Sequence, residues 1–325
     1  MIKKVKLTFP PLQWDFLKYS PGNDGVFGNY KFILNNDELD EYDYWIVAQN
    51  LNHSTEQAIV NKNNVIFDTS ESFDIVNYPS AFLGQFAFVS SFRDDILHSN
   101  RIISIPVIPW FLKQRYDELD IDMPINKSKK ISLLASNKTI SLNHIKRFEF
   151  VKKVAKYFKD DVDIFGAGFT PFIYDKGPTL LPYQYSIILE TITNENYFSE
   201  KIGDSYLAET FPLYYGCSNL EDYFSSKSFI RLDISDFEKS KKVISKILDD
   251  NGGHYADHLR YIKEAKHNYL EKYSILPALC RILDGLPNNK IDNKEIVQLK
   301  KFTPPRNFFY YRKKILNRLY SHYYK

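Results

Sequence analysis

Two stretches of the chain combine a strand end, a helix start and a cation. The buried run Tyr185–Leu189 ends in Glu190, the polar loop Thr191–Phe198 follows, and Ser199-Glu200-Lys201 opens a helix. Free N–H groups at a helix start attract an anion, Lys201 in the first turn adds a full charge, and Ser199 is a good cap. A phosphate-bearing ligand fits such a site; a capped surface helix with an ordinary Glu–Lys pair fits the same residues. Upstream, the strand-like Lys130–Ala135 leads through Ser136-Asn137-Lys138-Thr139 into a helix that carries Arg147. A guanidinium there can chelate a diphosphate in bidentate fashion, or pair in solvent with Glu149.

Other constellations carry less. Asp120-Ile-Asp122 and Asp161-Val-Asp163 have the spacing of hard oxygen ligands, but with 40 acidic residues such pairs arise easily. The first falls in a linker and the second enters a strand, so neither is assigned a metal. His254 and His258 share one helix face, yet no Glu lies between them and no third ligand is near; a solvated helix face is expected. No Gly-x-Ser-x-Gly element and no Walker loop occurs. Only Cys217 and Cys280 are present, which gives neither a disulfide framework nor a thiolate cluster.

These residues need elements to hold them, and the chain of 325 residues supplies two series. In the first, Lys4–Phe9, Tyr30–Leu34, Tyr44–Ala48, Asn64–Phe67, Phe86–Phe92 and Arg101–Pro106 read as strands rich in Val, Ile, Phe and Tyr. Polar Asp117–Lys129 reads as a linker. In the second, Lys130–Ala135, Val162–Phe165, Tyr185–Leu189, Phe211–Tyr215 and Ser228–Leu232 are expected strands. Helices are expected at Asn143–Phe158, Ser199–Glu209, Asp236–Asp250 and Tyr255–Leu286. Two β/α series predict two doubly wound α/β domains, residues 1–128 and 129–300.

Hydrophobic residues at 44% and charged residues at 26% argue against disorder. Apolar runs fall far short of the ~20 residues a membrane span needs. Net charge is +3, but Pro304–Lys325 alone holds six basic residues and no acid, leaving the rest slightly negative. That placement speaks against nucleic-acid binding, which needs a basic face on the fold. The segment 301–325 instead reads as a basic, aromatic, amphipathic helical tail suited to an anionic membrane surface, or docked on its own protein. The N-terminus lacks a signal-peptide pattern, so a cytoplasmic location is expected, peripheral at the inner face of the membrane through the tail.

Taken together, the segments around Arg147 and Lys201 resemble the donor-binding domain of the α-1,3/α-1,4-fucosyltransferases, glycosyltransferase family 10. Tyr183–Ile234 is similar to that family's run of a strand, Phe-Glu-Asn, Tyr-x-Thr-Glu-Lys, a helix, a Pro-x-x-x-Gly strand and a Ser-Phe-Ile strand. Here these read Leu189-Glu190-Thr191, Tyr197-Phe198-Ser199-Glu200-Lys201, Pro212 to Gly216, and Ser228-Phe229-Ile230. Leu133–Val154 resembles its Ser-Asn…Arg helix. The likeness covers about Lys130–Asp236 and departs at Thr191, where the family has Asn, and at Ser199, where it has Thr.

The resemblance implies a GT-B architecture: two Rossmann-like domains with a cleft between them, the first binding acceptor and the second GDP-sugar. It implies inverting transfer of fucose from GDP-fucose to a glycan hydroxyl, with no required metal or other cofactor. Position by position, Arg147 and Lys201 would hold the diphosphate. Tyr197 and Glu200 would line the nucleotide, with Glu200 on the ribose, and Glu190, Ser136 and Asn137 would sit against the donor. Gly166, in Gly166-Ala-Gly168, lacks the third Gly of a dinucleotide fingerprint and is read as allowing close backbone approach to the nucleotide. The family's general base is a Glu, often after Gly, beyond an N-domain strand. That implies Glu71, with Ser70 in place of the Gly and Asp68 and Asp74 as rivals, and with a solvent-facing loop Glu as the plain reading. The expected role is synthesis of a surface glycan or lipopolysaccharide. The same fold with another GDP-6-deoxysugar, or an inactive glycan-binding scaffold, remains an alternative.

Overall fold

The computed structural model describes residues 1–12, 14–121, 126–166, 170, 173–287 and 292–303. The expected tail from 304 on, Asp122 and Gly168 lie outside the described residues. In chain order the strands of the first half are β1 (Lys3–Thr8), β2 (Val26–Phe27), β3 (Tyr30–Leu34), β4 (Tyr44–Ala48), β5 (Thr55–Val60), β6 (Val65–Asp68), β7 (Phe88–Ser91) and β8 (Arg101–Ile103). Two short helices accompany them, α1 (Ser80–Leu83) and α2 (Tyr116–Leu119). Then follow β9 (Lys129–Leu134), α3 (Leu142–Phe158), β10 (Val162–Phe165), α4 (Gly177–Leu180), β11 (Tyr183–Leu189), α5 (Glu200–Leu207), β12 (Phe211–Tyr215), β13 (Ile230–Arg231), α6 (Phe237–Asp249), α7 (Gly253–Asn268), α8 (Ile275–Asp284) and β14 (Glu295–Lys300).

Contacts divide the chain into two compact units. The first comprises 1–109, 114–121 and 270–303, and the second 110–113 and 122–269 among the described residues. The first unit is built on a sheet of order β2-β3-β1-β4-β6-β7-β8, parallel except at β2. Its centre, β4, reads Tyr-Trp-Ile-Val-Ala and is buried throughout, as a strand covered on both faces must be. One core face gathers Phe67 against Tyr78, Phe82 and Phe86, with ring centroids 4.9 to 5.1 Å from that of Phe67. The second unit is a fully parallel sheet of order β10-β9-β11-β12-β13.

Three expectations need correction. The stretch 270–300, assigned by sequence to the second domain, belongs with the first unit, as do residues 301–303, assigned to the tail: β14 pairs antiparallel with β5 in a separate two-stranded sheet, Glu295 opposite Val60 and Lys300 opposite Thr55. The sequence reading places no strand at either stretch, because each mixes charged and polar residues with only a few apolar ones. The single helix expected over Tyr255–Leu286 is interrupted by a π-helical turn at Tyr269–Tyr273, and Ser274 restarts it. The break coincides with the point where the chain passes from the second unit to the first. Finally, His254 and His258 are not a solvated face. Their rings stack at 4.1 Å and pack edge-on against Phe211.

Candidate active site

In the second unit β9 lies between β10 and β11, so the chain leaves β9 toward one edge and returns to its other side. The carboxyl ends of β9 and β11 therefore flank a topological switch point, where open parallel sheets bind ligands. The loops after these two strands begin Ala135-Ser136 and Glu190-Thr191. Arg147, on α3, reaches both: one terminal nitrogen donates to Thr191 Oγ1 and the other to Ser136 Oγ, each at 3.0 Å. Arg147 is 4% exposed, and its Nε has no hydrogen-bond partner. Among the described residues no carboxylate forms an ion pair with it. Burial pulls the guanidinium below its usual value, against the opposing pull of Glu190, Tyr197 and Glu200. A buried cation with an unspent donor is a site that an anion completes.

A second cation stands beside it. Glu190, fully buried at the end of β11, accepts hydrogen bonds from the backbone N (2.8 Å) and the hydroxyl (2.8 and 2.9 Å) of Ser199. Ser199 is the N-cap of α5, and its Oγ accepts from Lys201 N. The Lys201 ammonium lies 3.2 Å from Glu190 Oε2 and 2.8 Å from Ser199 Oγ. Gly216 follows β12 with φ +158°, and a Cβ there would come within 2.5 Å of Glu190 Cγ. The glycine thus leaves room for this carboxylate.

The charges continue inward. Glu200 Oε1 is 2.9 Å from Lys176 Nζ and 3.9 Å from Lys201 Nζ, and Lys176 also contacts Asp204 Oδ2 at 2.7 Å. Asp204 in turn accepts from the backbone N of Phe111. Burial alone would push Glu200 up, but Lys176 and Lys201 win and hold it down to about 2. Burial would likewise lower Lys176, and Asp204 and Glu200 reverse that and raise it. A cavity of about 100 Å³ lies beside Lys176, Glu200 and Lys201, floored by Leu134 and Ile188. A wider depression of about 710 Å³, beside Lys130, Gln184 and Asp250, lies at the opposite, amino-terminal end of the strands. The switch point and the orphan Nε of Arg147 both favour the carboxyl end.

The structure brings together Arg147, Ser136, Glu190, Glu200 and Lys201, and buries Tyr197 among them, at 7% exposure. Asn137 is exposed and forms no hydrogen bond with the others. At Gly166, with φ +105°, a Cβ would collide with the carbonyl of Ala135, so the glycine allows a close approach of the chain to itself. Lys176 and Asp204 were not expected, since a lone Lys before Gly-Pro and an Asp inside a helix carry no pattern. Asp163 is engaged by Lys129 and the hydroxyl of Tyr183. Among the described residues no group of three or more His, Cys, Asp or Glu could hold a metal ion.

In the first unit, β6 ends in Asp68 and the turn Thr69-Ser70-Glu71 follows. Asp68 is 1% exposed, accepts hydrogen bonds from Ser70 Oγ and Ser90 Oγ, and is pushed up to about 6 by burial. Ser70 has φ +44°, a left-handed conformation that favours glycine. Its hydroxyl offsets the strain by donating its one proton to Asp68, with the carbonyl of Val107 as the more distant acceptor at 3.2 Å. Glu71 is partly exposed. The fully buried Arg93 donates to its carbonyl (3.3 Å) and to that of Val76 (2.8 Å), pinning the loop between them.

Residues 124–302, more than half of the chain, match the model of the glycosyltransferase family 10 (fucosyltransferase) C-terminal domain. The chain belongs to this family. It is 26% identical over 99 residues to the Helicobacter pylori alpha-(1,3)-fucosyltransferase FucT, a stretch that spans 30% of this chain and 18% of that protein's length. Among solved structures, an alpha1,3-fucosyltransferase with GDP-fucose is similar at TM-score 0.47 and 18% identity, over 84% of this chain and 92% of that one. An alpha-glucosyltransferase in complex with UDP and DNA is similar at TM-score 0.51 and 9% identity, over 87% and 99%. The fold class is GT-B, with two parallel α/β units. Thr191, expected as Asn from the resemblance, offers Arg147 an acceptor. Among the described residues no helix is long and apolar enough to cross a membrane.

Proposed function

We propose that this family 10 member transfers L-fucose from GDP-fucose to a hydroxyl of a glycan acceptor, in the manner of an α-1,3-fucosyltransferase and with inversion. The observation that carries the reading is Arg147: a buried guanidinium with an unpartnered Nε at the switch point, beside the helix start that bears Lys201. The acceptor oxygen attacks the anomeric carbon from the side opposite GDP and loses its proton to Glu71. The bond from that carbon to the β-phosphate oxygen breaks, and its electron pair leaves with GDP. Arg147 and Lys201 stabilise the developing charge as fixed cations, with Glu200 on the ribose and Tyr197 along the nucleotide. The neutralising charge thus comes from the chain's own side chains, with no role assigned to a metal.

The role extends to surface-glycan or lipopolysaccharide synthesis at the cytoplasmic face of the membrane, with Pro304–Lys325 drawn to anionic lipid. The test is a panel of GDP-sugars with glycan acceptors, read by mass spectrometry and by GDP release. Transfer from GDP-fucose above all others is expected. Transfer from a different GDP-6-deoxysugar overturns the donor assignment, and glycan binding with no GDP release from any donor identifies an inactive scaffold.

A further inference from the structure

Lys176 has no place in the family pattern quoted above, yet it is the hub of the buried charges in the second unit. Its ammonium pairs with Glu200 and Asp204 and lies 4.7 Å from the ring centroid of Phe111, whose carbonyl accepts from the Lys176 backbone N. The ammonium is therefore fixed by three groups of the chain, and the residue's backbone is tied to Phe111 as well. We propose that Lys176 is a positioning residue of the donor site, which holds the Glu200 carboxylate in place for the ribose hydroxyls and keeps it off Lys201. The inference rests on the donor-site reading above.

Two features of the geometry support it. The first is asymmetry: Glu200 Oε1 sits 2.9 Å from Lys176 but 3.9 Å from Lys201, so Lys201 hydrogen-bonds Ser199 and Glu190 and not Glu200. Without Lys176 the nearest cation for Glu200 is Lys201. The carboxylate would swing to it, leaving the ribose and neutralising the ammonium meant for phosphate. The second is charge balance. Arg147, Lys176 and Lys201 face Glu190, Glu200 and Asp204, three charges of each sign. Removing Lys176 leaves the site one negative charge in excess, which opposes a diphosphate.

The test compares binding of GDP and of 2′,3′-dideoxy-GDP by calorimetry. Wild-type protein is expected to prefer GDP, because Glu200 accepts from the ribose hydroxyls. Lys176→Met should weaken GDP roughly ten- to hundred-fold, as expected for a lost charge-assisted contact, and abolish the preference. Lys176→Arg keeps the charge and should restore part of both. Where Lys176→Met fails to fold, Lys176→Met/Asp204→Asn restores electroneutrality. It should recover much of the diphosphate affinity while still failing to discriminate the ribose. A role in packing alone would weaken both nucleotides equally, so an unchanged ratio in Lys176→Met or the double variant overturns the proposal. Wild-type protein that binds both nucleotides equally overturns the ribose role of Glu200 and this proposal with it. Wild-type protein that binds neither overturns the donor-site reading itself.

Discussion

Arg147→Ala is the substitution whose consequence follows most directly from the structure. Arg147 makes two hydrogen bonds within the chain, to Thr191 and Ser136, and leaves Nε unspent. Both acceptors are hydroxyls, which can turn to other partners when the guanidinium is gone, so the free protein loses little. The complex loses more. A diphosphate supplies charged acceptors in place of neutral ones and gives Nε its first partner, and charge-assisted bonds of this kind contribute roughly 1.5–3 kcal/mol. That is a weakening of GDP binding by about ten- to 150-fold. Arg147→Lys retains the charge but, as a single ammonium, cannot span the loops after β9 and β11 together, so about half of the loss should remain. Calorimetric titration with GDP, and with guanosine as a control without phosphate, separates the charge effect from a general distortion: guanosine should bind the variants as it binds wild type. Lys201→Ala should behave like Arg147→Ala. If both alanine variants bind GDP within twofold of wild type, these two cations do not form the diphosphate site.

Glu71→Gln keeps shape and removes the proton acceptor, so turnover should fall by roughly two to four orders of magnitude with GDP affinity unchanged. Near-normal turnover in Glu71→Gln, together with loss in Asp68→Asn or Asp74→Asn, would move the base to another carboxylate. Asp68→Asn tests burial: with the folded carboxyl raised from 3.8 to about 6, wild-type stability from this group is full below about pH 4 and lost as pH rises through 6. The variant should therefore gain on the order of 2–3 kcal/mol relative to wild type between pH 4 and 7 in denaturant titrations, and a difference flat with pH would refute the raised value. Deleting Pro304–Lys325 should leave transfer to a soluble acceptor nearly intact and abolish salt-sensitive co-sedimentation with anionic vesicles; vesicle binding that survives the deletion would assign the tail another role.

Local signals carried the donor half of the site. Strand, cap and cation at Leu189–Lys201 lie within one turn–helix unit, so their spacing in sequence is nearly their spacing in space. A run such as Tyr-Trp-Ile-Val-Ala predicts a strand buried on both faces whatever surrounds it. Long-range geometry was not legible. Nothing in sequence brings Thr55–Val60 to Glu295–Lys300: the burial of the second strand alternates weakly, and the paired residues are over 230 apart. The same holds for Lys176, which lies 24 residues from Glu200 and 28 from Asp204, across β11 and a loop.

The two departures at Thr191 and Ser70 show why a motif read residue by residue understates what the fold preserves. Thr191 presents its hydroxyl to Arg147 at 3.0 Å, an acceptor role that an Asn carbonyl is also chemically able to fill. The turn at Ser70 requires a left-handed backbone. Glycine meets that without strain, and Ser70 meets it at a cost of about 1–2 kcal/mol that the hydrogen bond from its hydroxyl to Asp68 offsets. That compensation depends on Asp68 staying buried beside the hydroxyl. The strained Ser70, the raised carboxyl of Asp68 and the position of Glu71 are therefore one coupled arrangement. Ser70→Gly loses the hydroxyl but relaxes the backbone, so it should stay near wild-type stability, whereas Ser70→Ala, which keeps the Cβ and loses the hydroxyl's hydrogen bond, should destabilise the first unit and lower turnover together. Ser70→Ala melting at the wild-type temperature would show that the hydroxyl does not hold the turn.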